Sequence, residues 1–270
     1  MLNQLLDGHS VKHYDGFMDL PVNARGAIVV FHGQHSNHPG ITEKFNRATN
    51  NLDWVLYVSI GDEGGTWPYH LLEHKNKKVW IQTPKPGLNK ADRYLIEGYP
   101  PDCQDLLSSI GDIHRTYDWY FAGQVNHERR TECAKALSTM FHGKFCPTSG
   151  FWQGLGRDEY YTNMRMAKVI PCPSGPLTPD SFRFAEAMEA GCIPILDAYA
   201  LDHVRGYWTV VFGTHPFRVI ENWSYLPEMV QAVIDNFDEE QKKTQLWWKQ
   251  YKQAMQTVWL SQDLISLRAM

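Results

Sequence analysis

Short apolar runs separated by helix-length amphipathic stretches set the strongest limit on how this chain folds. AIVVF (27–31), WVLYVSI (54–60) and KVWIQ (78–82) read as strands, with a helix over about 42–50. Such alternation is the pattern of an α/β protein with largely parallel strands. The pattern restarts after the turn at Pro100 and a helix near 104–110. YDWYFAG (117–123) reads as a new first strand, followed by a helix over 130–141, a polar Gly-rich loop and a helix over about 157–168. VIPC (169–172), another helix and CIPIL (192–196) complete a strand–helix–strand–helix–strand unit, the building block of nucleotide-binding sheets.

A chain of 270 residues is long enough for two compact domains. A boundary near residue 116 gives a first Rossmann-like domain over 1–116 and a second over 117–270, the latter ending in a long helix. From 239 to 260 that tail places Leu246, Trp247, Tyr251, Met255 and Val258 on one face, with Asp238 or Asn236 as cap.

The balance of 43% hydrophobic and 21% charged residues is that of a folded protein rather than a disordered one. No basic start with a continuous apolar segment opens the sequence, and no run approaches the roughly 20 apolar residues that span a bilayer. The expected location is the cytoplasm (a host's, if the source is viral), with no membrane partner. Cys103, Cys133, Cys146, Cys172 and Cys192 are odd in number and never C-x-x-C, so they read as reduced, mostly buried thiols.

The stretch PDSFRFAEAMEAGCIPIL follows a stiff, uncharged loop, CPSGPLTP. A helix starting at Asp180 or Ser181 has a capping side chain, and its unpaired N–H groups and positive dipole end suit a phosphate. Gly191 supplies a left-handed C-cap and Pro194 lies just beyond. Arg183 and Glu186 share one face. A carboxylate can accept both hydroxyls of a ribose diol, and a guanidinium can balance a diphosphate. The competing reading of that pair is an ordinary surface ion pair.

The passage VIPCPSGPLTPDSFRFAEAMEAGCIPIL resembles the hallmark of exostosin-like glycosyltransferases: a strand, C-P-x-G, a variable loop, S-x-R-x-x-E-A, then G-C-I-P-V. Cys172, Pro173, Gly175, Ser181, Arg183, Glu186, Ala187, Gly191, Cys192, Ile193 and Pro194 match it. With YFAG, the arginines Arg129 and Arg130, and the stretch from Tyr160 to Lys168, the resemblance covers about half the chain. It implies a GT-B architecture, two Rossmann-like domains facing across a cleft, the C-terminal one holding a nucleoside diphosphate sugar. It further implies Glu186 on the ribose, with Arg129 or Arg130, Gly175, Ser181, Phe182 and Arg183 around the diphosphate. Animal exostosins carry an anchor and a metal-dependent second transferase domain with a D-x-D motif; neither pattern occurs here, so no metal or cofactor is expected.

An acceptor hydroxyl needs a base, sought at the C-terminal ends of first-half strands. FHGQHSNHPG offers His32, His35 and His38, and IGDEGGTW offers Asp62 and Glu63. The histidines read as metal ligands, as a base or acceptor contact, or as loop packing; Asp62 and Glu63 read as base, acceptor contact or charged turn. Trp152 or Tyr160, in GFWQGLGRDEYY, is a candidate for stacking on the donor base or for the core.

HKNKKVWIQTPKPGLNKADR (74–93) holds six Lys or Arg against one acid in a chain of net charge -4. Lys75, Lys77, Lys78 and Lys85, with Trp67 and Trp80 nearby, are candidate contacts to a polymeric acceptor; a solvated charged face is the alternative. Cytoplasmic GT-B enzymes of bacteriophages that glycosylate hydroxymethylpyrimidines in DNA are similar in size and compartment, and such DNA is the leading acceptor reading. A bacterial or viral surface glycan is another. A non-catalytic nucleotide- or glycan-binding protein is the third possibility. A dehydrogenase lacks its main motif, since no G-x-G-x-x-G follows a first strand.

Overall fold

The computed structural model describes residues 23–33, 40–85, 90–150, 153–199 and 206–269. They form two compact units: one holds the described residues up to Ile96 together with those from Tyr251 onward, and the other is Glu97–Gln250.

In the first unit β1 (Gly26–His32), β2 (Trp54–Ile60), β3 (Lys77–Ile81) and β4 (Arg93–Tyr94) form a parallel sheet in that order. The run VLYVS inside β2 is buried throughout, as expected of a strand covered on both faces. On one face Phe31, Val55 and Tyr57 meet Phe45 of α1 (Ile41–Thr49) and the loop residues Trp67, Tyr69 and Leu72. On the other, the last helix packs against β2 and β3, and the Trp80 indole N–H donates to Asp263 Oδ2 at 2.8 Å.

In the second unit β5 (Tyr117–Gln124), β6 (Gly143–Thr148), β7 (Ala167–Cys172), β8 (Ile193–Asp197) and β9 (Arg218–Ile220) form a wholly parallel sheet in the order β6-β5-β7-β8-β9. Its helices are α2 (Cys103–Ile110), α3 (Glu128–Leu137), α4 (Arg157–Arg165), α5 (Phe182–Glu189), α6 (Tyr207–Phe212), α7 (Leu226–Ile234) and α8 (Phe237–Gln253). Cys133 and Leu137 of α3 and Val230 and Val233 of α7 bury against Trp119, Phe121, Val169 and Ile195. Helices α2, α4 and α5 pack together elsewhere in the unit, where Phe184 is ringed by Trp208, Phe212, Phe217 and Trp248. Both units are thus α/β with parallel sheets, compatible with Rossmann-like domains.

The division falls ahead of residue 116 because α2 packs on α4 and α5, and the chain returns to the first unit after Gln250. The expected tail helix is α8, a π-type segment Ala254–Trp259 and α9 (Leu260–Ala269). Its buried face runs through Thr244, Trp248, Tyr251 and Met255, while Leu246 and Val258 are exposed. Spacings of four, three and four residues fit an α-helical stripe, and the 3.6-residue period leaves those two on the far side.

Candidate functional site

The strand order of the second unit fixes where its ligand crevice lies. From β5 the chain passes to β6 on one side of the sheet, and then to β7 on the other. This is a topological switch point, and in open α/β sheets the crevice at the carboxyl ends of such strands takes ligands. Here those ends are Gly123 and Gln124, the last residues of β5, and Ser174 and Gly175, just after β7. The N-termini of α3 and α5, which follow β5 and β7, arrive at this same edge.

Neither helix start is closed by a side chain. His127 and Ser181 occupy the N-cap positions in extended backbone, and neither makes a side-chain cap hydrogen bond. The Asp180 carboxylate turns away from α5, accepting the backbone N–H of Glu97 at 2.7 Å and of Ser181 at 2.8 Å. At the other end of α5 the expected left-handed cap is present: Gly191 has φ 74°, and Cys192 N–H closes on Ala187 O at 2.9 Å.

Arg183, in the first turn of α5, is only 8% exposed. Its Nη2 donates to Ala122 O at 2.8 Å and its guanidinium lies 4.6 Å from the Phe121 ring centroid. Its Nε and Nη1 are buried without a hydrogen-bond partner. Arg130 Nε donates to Ser174 O at 3.1 Å and Nη1 to Gln124 O at 3.4 Å. Burial first, then the charge of Arg183, brings the Arg130 guanidinium down to about 10. Among the described residues neither arginine has a carboxylate within ion-pair distance. At longer range the charge of Glu97 favours the charged form of Arg130, and Arg183 and Glu186 attract each other. Ser174 Oγ, Ser181 Oγ and His127 Nε2 are likewise buried and without partners. Buried charge left unpaired is costly. The unmet groups are guanidinium, hydroxyl and imidazole, all able to donate, and a ligand that accepts hydrogen bonds and carries negative charge would satisfy them.

Glu186, one turn further along α5 and 7% exposed, makes no ion pair with Arg183. The competing reading, an ordinary surface ion pair, does not describe these two buried groups with separate partners. Tyr160 OH donates to Glu186 Oε2 and Tyr161 OH to Oε1, each at 2.8 Å. Burial raises the carboxyl pKa, opposed by those hydrogen bonds. About two of its roughly four acceptor positions remain. Tyr160 belongs to this network; Trp152 lies outside the described residues.

The other donor-site candidates separate. Arg129 is held by the fully buried Asp197 (Nη2–Oδ1 2.6 Å), by Glu132 at 2.6 Å and by Glu221 O at 3.0 Å, so its donors are used within the fold. Of the adjacent pair, Arg130 is the one that faces Arg183. Phe182 is exposed, and Gly175 is packed against the carbonyls of Thr178 and Asp180. Neither His127 nor Asp180 was among the expected site residues. The signal for His127 was its place, just ahead of the E-R-R that opens the helix after β5.

In the first unit, His32 and the loop after β2 stand at the carboxyl ends of adjacent strands, with the imidazole lying over Gly61. Asp62 is buried as a loop organiser, accepting Thr66 N–H and Trp67 N–H at 3.1 Å and Tyr69 OH at 2.8 Å. Glu63 is half-buried on the same loop. His35 and His38 lie outside the described residues. Lys85 Nζ donates to Gly64 O at 2.6 Å, at this same end of the sheet. Lys75, Lys77 and Lys78 sit at the opposite end, before or at the start of β3, separated from Asp62 by roughly 20 Å of strand. Lys78 pairs with Asp92 at 2.9 Å. Trp67 (2% exposed) and Trp80 (0%) are core residues with no face open for stacking. Lys75, Lys77 and Lys78 therefore do not share a surface with the candidate bases, whereas Lys85 stands beside the Asp62–Glu63 loop.

No helix among the described residues is long and apolar enough to cross a membrane. No family model matches the chain, and no curated protein matches it in sequence.

Proposed function

We propose that this chain is a glycosyltransferase of the exostosin-like, GT-B kind that takes its sugar from a nucleoside diphosphate sugar held by the second unit. The observation that carries the reading is Arg183: a buried guanidinium with two unpaired nitrogens, beside a second arginine and two uncapped helix starts. A diphosphate supplies the acceptor oxygens and the negative charge that these groups lack. As the glycosidic bond breaks, charge grows on the leaving diphosphate, and fixed arginines and helix dipoles stabilise it without reorganising. Glu186 then takes the ribose hydroxyls through its remaining acceptor positions. Inversion at the anomeric carbon follows from the family resemblance.

The acceptor hydroxyl belongs to the first unit in this scheme, with His32, Asp62 or Glu63 as base. The DNA reading drew on the basic run, and the position of Lys75, Lys77 and Lys78 away from the carboxyl ends of the strands supports a surface-glycan hydroxyl over a hydroxymethylpyrimidine. Calorimetric titration with uridine, guanosine and thymidine diphosphate sugars tests the donor site. One of them is expected to bind the wild type and to bind Arg183→Ala far more weakly. Absence of binding, or equal binding by the variant, overturns the reading. Slow release of diphosphate without acceptor separates an enzyme from a binding protein, and mass spectrometry of hydroxymethylated DNA and of glycans after incubation identifies the acceptor.

A further inference from the structure

We propose that His127 is a ligand contact of the switch-point crevice, donating from Nε2 to a non-bridging phosphate oxygen, so that binding of the diphosphate takes up a proton. This rests on the donor-site reading above. His127 is the last residue before α3, on the opposite side of the switch point from Arg183. Its Nε2 is buried with nothing to bond; the ring bonds the Ser174 backbone and neighbours Arg130, whose charge in turn meets that of Arg183. The Ser174 and Ser181 hydroxyls and the Arg183 Nε and Nη1 are likewise unpartnered. A diphosphate has two phosphoryl groups, and the crevice has two helix starts. Arg183 and Ser181 serve the one at α5, and Arg130 and His127 the one at α3.

The charged groups around the ring are Arg130, Asp197 and Arg129, together with the Ser174 backbone. Burial, then Arg130, holds the imidazole below its ordinary value, so that it is neutral at neutral pH in the empty site; Ser174 and Asp197 act the other way. An arriving dianion cancels the Arg130 repulsion and adds an acceptor at Nε2. The bound-state pKa rises, and one proton moves from solvent to Nε2 as the complex forms. No covalent bond changes. Affinity is therefore greatest below the empty-site pKa and is lost as pH rises from there through the bound-state pKa.

The test uses the whole chain and the nucleoside diphosphate sugar that binds, whose diphosphate has no ionisation of its own near neutrality. Affinity is measured from about pH 6 to about pH 8, and proton uptake is read from the dependence of the heat on buffer ionisation enthalpy. Wild type is expected to bind more tightly at the acid end, with net uptake. His127→Gln, which keeps a donor but no titration, is expected to lose about tenfold in affinity at the acid end, the worth of one charge-assisted hydrogen bond, and to show a flat profile. Asp180→Asn reports on the other group near the crevice that titrates close to neutrality. It is expected to keep the wild-type slope. If the slope vanishes in Asp180→Asn and survives in His127→Gln, the His127 contact is overturned. A His127→Gln protein that folds and matches wild type throughout overturns it while leaving the donor site standing. A wild type that binds none of the sugar nucleotides overturns both.

Discussion

Gly123 sits so close to Arg183 that a β-carbon on it would stand 2.5 Å from Nη2. The glycine also has φ 144°, a conformation that residues with a side chain rarely take. The turn after β5 is therefore shaped around the guanidinium of α5, which closes the switch point through the 2.8 Å bond to Ala122 O. Gly123→Ala must strain the turn and displace Nη2 together. The expected loss is about 1–3 kcal/mol of stability, with a fall of at least roughly tenfold in sugar-nucleotide affinity. Chemical denaturation and calorimetry check the two effects separately. An alanine variant of wild-type affinity would show that the position of Arg183 does not matter to the ligand.

Arg183 itself separates stability from binding. A buried charge with open nitrogens burdens the empty protein, and an apolar side chain of similar length removes that burden. Arg183→Met is expected to unfold no earlier than wild type without ligand, and to lose the rise in Tm that a nucleoside diphosphate gives the wild type. A Tm that drops sharply for the empty variant, with the ligand-induced rise intact, would reverse this assignment and make Arg183 a structural residue.

Glu186 behaves in the opposite way, because its carboxylate is already engaged by Tyr160 and Tyr161. Glu186→Ala leaves two buried hydroxyls without their acceptor, and it is expected to cost about 1–3 kcal/mol of stability in addition to any loss of binding. In the double variant Glu186→Ala/Tyr161→Phe the stability cost should be smaller than the sum of the single ones, since one orphaned hydroxyl is gone. Strict additivity in denaturant melts would argue that the hydrogen bond contributes nothing.

Asp180 gives the second unit a pH dependence of defined sign. Burial lifts its carboxyl to about 7, against the N–H groups of Glu97 and Ser181 that favour the charged form. An acid whose folded pKa is raised binds its proton more tightly in the native state. Its contribution is thus most favourable below the ordinary carboxylate pKa and declines as pH rises toward about 7. Asp180→Asn is expected to flatten that part of the stability–pH curve, as measured by urea midpoints across the range. A curve of unchanged slope would place the proton elsewhere.

Much of the scaffold was legible in the sequence because its signals are local. WVLYVSI and CIPIL are apolar enough to be strands in any context, and Gly191 with Pro194 marks the end of α5. The strand GKFCPT falls where the sequence predicts a polar loop: it holds a lysine and a proline, which an edge strand such as β6 tolerates and a central one does not. Arg93–Tyr94 and Arg218–Ile220 are too short for any period to show. Arg183 and Ser181 could be singled out from a linear motif. That Arg130 rather than Arg129 turns toward Arg183, and that Asp197 claims the other, depends on β8 and a loop nearly seventy residues away. No spacing rule carries that information.

The two ends of the first sheet give the last prediction. Ligands in parallel sheets gather at the carboxyl ends of strands, where His32, the Asp62–Glu63 loop and Lys85 stand, whereas Lys75 and Lys77 lie at the amino ends. Reversing the charge of both, Lys75→Glu/Lys77→Glu, changes the long-range field but touches nothing at the first end. Turnover on a glycan acceptor is expected to stay within about twofold of wild type, with little change in its salt dependence. Lys85→Ala and Glu63→Gln act at the other end and are expected to lower turnover with sugar-nucleotide affinity unchanged. If the amino-end double variant instead abolishes transfer and flattens a steep salt dependence, the acceptor is a polyanion tracking along the lysines, and the DNA reading displaces the glycan one.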